Sequence, residues 1–320
     1  MPGAVFAFLT SISFGANMVV IRRGVIQGTA AQAMYITVIG GVPLFVLGAL
    51  VSGQLSDFLT LKPMAYLYLT SAGIIHFILG RYANYEMVRA IGTNAATPLR
   101  SFIPLYAVVM AVIILDESVG LLRGFGIGLL IVSPLVMIQG MGLRLPKRGR
   151  EKRVEAGIGQ PPSGGAQTAA PPFTLNWRAG VFWSMASAVG YGTSPLLIRA
   201  ALADTDQGVL GALIAYMAAG AVLLVSLALP GKIVSLMAVP RGALPWFGIG
   251  TVLVFLAQMF RFVAYTTAGV TVVMPIMQTS NVWVVFFSWF INRRTELFGP
   301  RVFVAIFFST LGAIAVAWPQ

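Results

Sequence analysis

A few arginines set inside long apolar stretches are the side chains of this sequence best suited to binding a solute. Arg100 lies near the middle of one such stretch, two residues after Pro98. A charge inside an apolar span is costly unless it faces a cavity or a partner, which makes Arg100 a candidate binding residue. Its planar guanidinium suits a carboxylate or a phosphate, because it can form two parallel hydrogen bonds with either. The alternative is a structural contact with Glu86 or with a backbone carbonyl.

Two further arginines are candidates for the same site. Arg261 follows Gln258 by three residues, so both side chains lie on one face of a helix. Gln258 also lies 177 residues after Arg81, which is the offset of an internal repeat. We expect Gln258, Arg261 and Arg81 to bind the substrate. The alternative, favoured for Arg81, is that the long side chain extends to the membrane surface and keeps its charge in water.

Two titratable residues could couple transport to protons. His76 is the only histidine and lies five residues before Arg81, and histidine titrates near neutral pH. Glu86 is the only acidic residue that could lie inside a span. We treat both as coupling candidates, against the alternative that His76 is a hydrogen-bonded structural residue that nearby arginine keeps neutral.

Amide side chains complete the set of candidates. Serine and threonine can bond to their own helix carbonyls, whereas asparagine and glutamine do so less easily. We therefore predict that amides from several spans contact the substrate, namely Asn17, Asn94, Gln278 and Asn281. Tyr191 could stack on a flat substrate or serve only in packing.

The composition is that of an integral membrane protein. Of the 320 residues, 58% are hydrophobic and 9% are charged, and the mean hydropathy is +0.88, far more apolar than a soluble protein. The net charge of +12 comes mainly from residues at span ends and in one linker, which argues against a nucleic-acid partner and for a lipid bilayer. The absence of cysteine excludes disulfides and thiolate metal sites, and we expect neither a metal nor a cofactor.

Charged and Gly/Pro-rich breaks predict an all-α integral membrane fold of ten transmembrane helices. These first to tenth spans cover 3–21, 31–52, 63–85, 91–114, 122–141, 178–199, 208–229, 243–265, 270–291 and 300–318. Five spans fall in residues 1–142 and five in 177–320, and the basic and Pro/Gly-rich segment 143–176 is predicted to be a disordered linker. With alternating sides, sixteen Lys and Arg lie on the linker side and three on the other. The positive-inside rule then predicts a cytoplasmic linker, with both termini outside the inner (plasma) membrane.

The two sets of five spans are related by an internal repeat. An offset of 177 aligns Gly15 with Gly192 and Pro98 with Pro275, and an offset of 179 aligns Glu117 with Glu296. Because five is odd, the second set enters the membrane from the opposite face, which predicts two inverted five-helix repeats. Such repeats are typical of carriers that work by alternating access around a midplane site. The alternative is chance similarity between apolar segments.

The sequence resembles the drug/metabolite transporter superfamily, specifically its EamA-like ten-helix members. The motifs that carry the resemblance are SFGANMVVIRR from Ser13, NYEMVRAIGTNAATPLRSFIPLYAVVMAVIILDES from Asn84, and their repetition from Gly190 to Ala317. Two features depart from the family pattern, namely the residues INRR before Thr295 and Glu296 and the long linker. The resemblance implies the fold and a transport function. Similar proteins export amino acids or other metabolites, and others move sugars or nucleotide-sugars.

These patterns together predict a secondary transporter, an exporter of a small carboxylate-bearing solute such as an amino acid or organic acid. A first alternative is an intramembrane lipid-modifying enzyme, but the sequence has no His cluster, HExxH, GxSxG or P-loop and no paired carboxylates near a span end, since Asp116-Glu117 is isolated. A second alternative is a channel or a sensory membrane scaffold. Gly120, Gly124 and Gly128 have GxxxG spacing, which suits a homodimer or, as we favour, close packing inside the bundle.

Overall fold

The structure is a computed structural model that describes residues 2–115, 120–139, 175–202, 205–267, 273 and 276–317. Within these residues the regular secondary structure is helical, without a strand. Five helices are long and apolar enough to cross a membrane: Gly3–Gln27, Ala30–Val51, Pro63–Ile91, Gly208–Ser226 and Leu244–Ala264. Shorter apolar helices cover Gly124–Val136, Ile276–Ile291 and Pro300–Val316. The predicted all-α membrane fold is therefore confirmed.

The helices of the first half follow the predicted spans, with the second, third and fourth spans divided into shorter helices. The uninterrupted first and fifth spans are Pro2–Gln27 and Leu121–Gln139. The second span consists of Ala30–Ile39 and Gly41–Val51, and a short 3-10 helix, Gln54–Leu59, follows it. The third and fourth spans are built from helices Pro63–Ile74, Arg81–Ile91, Thr93–Leu99 and Phe102–Leu115.

The described residues of the second half form five longer helices and one short one. The sixth to tenth spans are Trp177–Leu202, Gly208–Ser226, Leu244–Thr267, Ser280–Ile291 and Pro300–Ala317. A six-residue helix, Lys232–Met237, lies between the seventh and eighth spans. Of the predicted linker 143–176, all but Leu175 and Asn176 lies outside the described residues.

Contacts between the halves correspond under the repeat offsets. Gly15 of the first span lies directly against Trp283 of the ninth, and Gly192 of the sixth span lies directly against Tyr106 of the fourth. These two contacts map onto each other at an offset of 177. The match is the packing expected when each half contributes the same helices to one shared bundle.

The fifth and tenth spans give a second pair of corresponding contacts. A Cβ atom on Gly126 would lie 2.8 Å from the carbonyl oxygen of Gly312. Ser133 donates a 2.7 Å hydrogen bond to the carbonyl oxygen of Ala305. At the offset of 179, Gly126 corresponds to Ala305 and Ser133 to Gly312, so the two contacts again map onto each other.

The expectation that the GxxxG glycines pack inside the bundle is wrong for Gly124 and Gly128. A Cβ atom at either position would have no described atom within 4 Å. Gly126 makes the close helix contact instead, because it lies on the opposite face of the same helix. Gly124 and Gly128 therefore belong to the outer surface of the described bundle.

Candidate functional site

A cavity of about 150 Å³ lies between seven of the ten spans. Its walls come from the first, third, fourth, sixth, eighth, ninth and tenth spans, so both halves contribute. Most of the residues predicted from the sequence line it, namely Asn17, His76, Arg81, Arg100, Tyr191, Gln258, Arg261, Gln278 and Asn281. The structure thus brings together side chains that are more than 260 residues apart in the sequence.

Arg100 lies at a break in the fourth span. The helix Thr93–Leu99 ends before it and the next helix begins at Phe102. Prolines 98 and 104 flank the break: Pro98 lies inside the first helix, and Pro104 lies in the first turn of the next, where the N–H that proline lacks has no intrahelical partner. The buried Nε of Arg100 has no hydrogen-bond partner among the described residues. The break therefore places a guanidinium in the cavity wall with hydrogen-bonding capacity to spare.

The structural alternative for Arg100, a contact with Glu86, is wrong. Glu86 lies one turn before Arg89, and its Oε2 is 3.6 Å from Nη1 of Arg89. The Arg89 side chain is 48% exposed, and neither member of this pair lines the cavity. Glu86, a predicted coupling residue, thus lies near the end of the third span and outside the site.

Arg81 is held in place by aromatic residues. Its Nη2 donates a 2.6 Å hydrogen bond to the hydroxyl of Tyr216. Its guanidinium carbon lies 4.8 Å from the ring centre of Phe77 and 5.2 Å from that of Tyr216, within the range of cation–π attraction. Arg81 is only 1% exposed, so the expectation that it extends to the membrane surface is wrong.

A stretch of π-helix, Ile75–Gly80, positions the third-span residues. It leads directly into Arg81 and contains His76. Wider π turns of this kind often occur at functional sites, because they re-aim the side chains that follow. Gly80 lies against Tyr191 of the sixth span, and this close approach brings His76 next to that helix.

His76 bridges two other spans. Its Nδ1 is 2.6 Å from the hydroxyl oxygen of Ser194, and its Nε2 is 3.3 Å from the amide nitrogen of Gln258. The ring also lies 4.5 Å from the ring of Tyr191, centre to centre. Since an amide nitrogen donates, Nε2 accepts and Nδ1 carries the proton. Both ring nitrogens have partners, as expected for a structural histidine, and the coupling role of His76 stays a prediction.

Arg261 approaches the cavity from the eighth span. It is 7% exposed, and its guanidinium carbon lies 5.4 Å from the ring centre of Phe262. The surface-extending alternative is therefore wrong for Arg261 too. Gln258, one turn earlier, contributes an amide oxygen that is buried and has no hydrogen-bond partner among the described residues.

The amides of the site tie helices together as well as lining the cavity. Asn17 donates from Nδ2 to the carbonyl of Gly250 at 2.8 Å, and Asn281 donates to the hydroxyl of Thr310 at 3.1 Å. Asn84 was not singled out in the sequence, although it lies one turn after Arg81 on the same helix face. Its Nδ2 contacts the sulfur of Met18 at 3.3 Å, and its Oδ1 has no partner among the described residues.

Asn94 lies outside the cavity and takes part in a second polar cluster. Its Nδ2 donates to the carbonyl of Leu297 at 2.9 Å, and its backbone N–H donates to Oε2 of Glu296 at 3.0 Å. Glu296 in turn pairs with Arg22. The repeat aligns Glu296 with Glu117 and Arg22 with Arg199, and it gave no sign that Arg22 and Glu296 touch, because they lie in different halves.

The charge of the cavity is one-sided. Among the described residues that line it, three are arginines and none is aspartate or glutamate. Charges of one sign in a site of low dielectric constant raise the local concentration of oppositely charged solutes. The described residues also contain no group of three His, Cys, Asp or Glu that could hold a metal ion.

Comparisons with known proteins agree with this architecture. Residues 1–139 match the model of the EamA-like transporter family. One solved crystal structure of a protein aligns with 98% of this chain and 95% of its own, at 14% sequence identity and a TM-score of 0.53, and it shows the fold alone. No curated protein matches the sequence. Over residues 1–139 the chain is thus similar to the EamA-like transporter family, and this match indicates a membrane transporter of the drug/metabolite transporter type.

Proposed function

We propose that the protein is a secondary transporter, an exporter of a small carboxylate-bearing solute such as an amino acid or an organic acid. The observation that carries this proposal is the cavity wall, which holds Arg81, Arg100 and Arg261 without an acidic residue among the described lining residues. A wall of this kind attracts anions and repels cations. Arg100 is the expected primary contact, because its position at a helix break leaves its guanidinium available for a bidentate carboxylate.

The mechanism that we propose is alternating access. The cavity receives side chains from both halves. The halves also contact each other at positions related by the repeat, as in the contacts of Gly15 with Trp283 and of Gly192 with Tyr106. Rocking of one half against the other can then open a shared midplane site first to one side and then to the other. No enzymatic step is assigned. We keep the orientation inferred from the charge count, with the linker in the cytoplasm and both termini outside the inner membrane.

The direct test is counterflow in reconstituted vesicles. Vesicles loaded with an unlabelled organic acid should take up the labelled acid faster than empty vesicles, as a carrier does and a channel does not. Arg100→Ala should reduce this exchange by about a hundredfold, as expected when one charge-assisted bidentate contact is lost. Arg89→Ala is the matched control, since Arg89 is half exposed and outside the cavity. Equal exchange by wild type and Arg100→Ala would contradict the proposal.

A further inference from the structure

We infer that the substrate carries at least two negative charges and no ammonium group, so that a small dicarboxylate or phosphate ester is favoured over an amino acid. The inference rests on the proposed function and narrows it. It follows from three features of the cavity: the number of cationic groups, the absence of Asp and Glu from its described lining residues, and the neutral acceptors that also line it.

The cationic groups of the cavity wall come from three different helices. Arg81 comes from the third span, Arg100 from the fourth and Arg261 from the eighth. One carboxylate occupies one planar guanidinium when it binds in bidentate fashion. A monoanion therefore engages one guanidinium of the wall, whereas a dianion with separated charges can engage two.

An ammonium group would have no carboxylate to bind. None of the described lining residues is acidic, and the sequence contains no Asp or Glu in 1–56, 87–115, 177–203, 244–291 or 300–320. The third span contributes Glu86, but that residue lies outside the cavity beside Arg89. An α-amino acid would thus place its cationic end among guanidinium groups of the same charge, which is unfavourable in a site of low dielectric constant.

The remaining polar groups suit hydroxyls. The side-chain oxygens of Asn84 and Gln258 are buried at the cavity and have no hydrogen-bond partner among the described residues. A buried acceptor without a partner is costly, so a ligand hydroxyl that donates to either oxygen would be bound favourably. A neutral amide oxygen also accepts from an ammonium N–H, so the argument against a zwitterion comes from repulsion by the arginines and not from these oxygens.

The size of the cavity limits the anion. Its volume is about 150 Å³, and a cavity of roughly that size holds a molecule such as benzene. A dicarboxylate of four to six carbons or the phosphate ester of a small polyol is in this range. Nucleotide-sugars, which the family resemblance also allows, are too large for the cavity in this conformation.

A matched set of five-carbon acids tests the inference. Pentanoate has one carboxylate, glutarate adds a second, norvaline adds an α-ammonium to pentanoate, and glutamate adds one to glutarate. Glycerol phosphate tests a dianion whose charge lies on a phosphate, and glycerol is its uncharged control. Binding is read from the thermal stabilisation of the purified protein, because a ligand of the folded state stabilises it by mass action. Counterflow in vesicles measures exchange of the same compounds.

We expect glutarate or glycerol phosphate to bind and exchange at least about tenfold better than pentanoate, glutamate and norvaline. Arg100→Gln should reduce the preference for glutarate over pentanoate, while Arg89→Ala should keep it. If norvaline or glutamate exchanges as well as glutarate, the dianion inference is overturned but carboxylate transport stands. If none of the anions stabilises the protein or exchanges, both the inference and the proposed function are rejected.

Discussion

Glu296, which precedes the tenth span, forms a buried ion pair with Arg22 of the first span, with 3.3 Å between Oε1 of Glu296 and Nε of Arg22. Both side chains are fully buried. The same carboxylate accepts hydrogen bonds from the backbone N–H groups of Thr93 and Asn94, at 2.9 and 3.0 Å. Glu296 thus caps the start of the fourth span, where the partial positive charge of the helix end favours an anion, and links the second half to the first.

Glu296→Gln should destabilise the protein strongly. The substitution leaves the buried Arg22 guanidinium without its anion, and breaking a buried pair in this way costs about 3–5 kcal/mol. Thermal unfolding in detergent measures the loss. The double variant Arg22→Met with Glu296→Gln should recover part of it, since no uncompensated charge remains. A double variant that is less stable than Glu296→Gln alone would argue against the pair.

Gly92→Ala should be far more damaging than Gly53→Ala. Both glycines have positive φ, +81° and +72°. A Cβ atom on Gly92 would lie 2.8 Å from Oε2 of Glu296, whereas one on Gly53 would meet nothing within 4 Å. We expect about 1 kcal/mol for Gly53→Ala, the usual cost of a left-handed conformation, and about 3 kcal/mol for Gly92→Ala, where displacement of the cap adds to the strain. Similar melting temperatures for the two variants would show that the cap tolerates displacement.

Tyr216→Phe should weaken transport without unfolding the protein. Tyr216 is fully buried, and its hydroxyl accepts a hydrogen bond from Arg81, so its loss frees the guanidinium to turn away from its place in the cavity wall. We expect a rise in the half-saturating substrate concentration of about tenfold, the effect of one charge-assisted hydrogen bond. Tyr35→Phe is the control, because the Tyr35 hydroxyl contacts Ser226 and not the cavity. Equal effects of the two variants would show that the Tyr216 hydroxyl does not position Arg81 for transport.

Gly126→Ala should destabilise the protein, whereas Gly124→Ala should not. The first places a methyl group against the backbone of Gly312, while the second points into open space. We expect Gly126→Ala to cost about 1–3 kcal/mol through overpacking. Gly124→Ala should be neutral, or slightly stabilising because alanine is the better helix former. Thermal unfolding of the two variants in the same detergent measures the difference. Equal stability of the two variants would contradict the close contact between the fifth and tenth spans.

Much of the cavity could be predicted from the sequence, because polar residues are so costly inside a membrane that their position alone marks a site. Arg100, Arg261 and the amides Asn17 and Asn281 were found in this way, and all four line the cavity. The internal repeat also predicted which spans of the two halves correspond, and these spans contribute the four side chains. The membrane therefore makes a single sequence more informative about a binding site than it is for a soluble fold.

The contacts that could not be predicted join residues distant in the chain. The amide of Asn94 resembled the cavity amides by type and depth, yet it bonds to Leu297, more than 200 residues away. The surface-extending alternative for Arg81 was wrong because helix position does not show that Tyr216 lies opposite. Spacing along one helix gives the face of a side chain, but only the packing of neighbouring helices shows what that face meets.

The positive cavity wall has a kinetic consequence. In the alternating-access mechanism proposed above, the carrier passes through an occluded intermediate from which water is excluded, and there the guanidinium groups of the cavity wall lose the water that the cavity holds. A bound anion replaces that solvation, whereas an empty cavity has nothing to do so. We therefore expect the loaded carrier to turn over faster than the empty one, so that exchange of labelled for unlabelled anion outpaces net efflux into anion-free buffer. The fixed charge that selects the substrate would thereby favour exchange over net efflux.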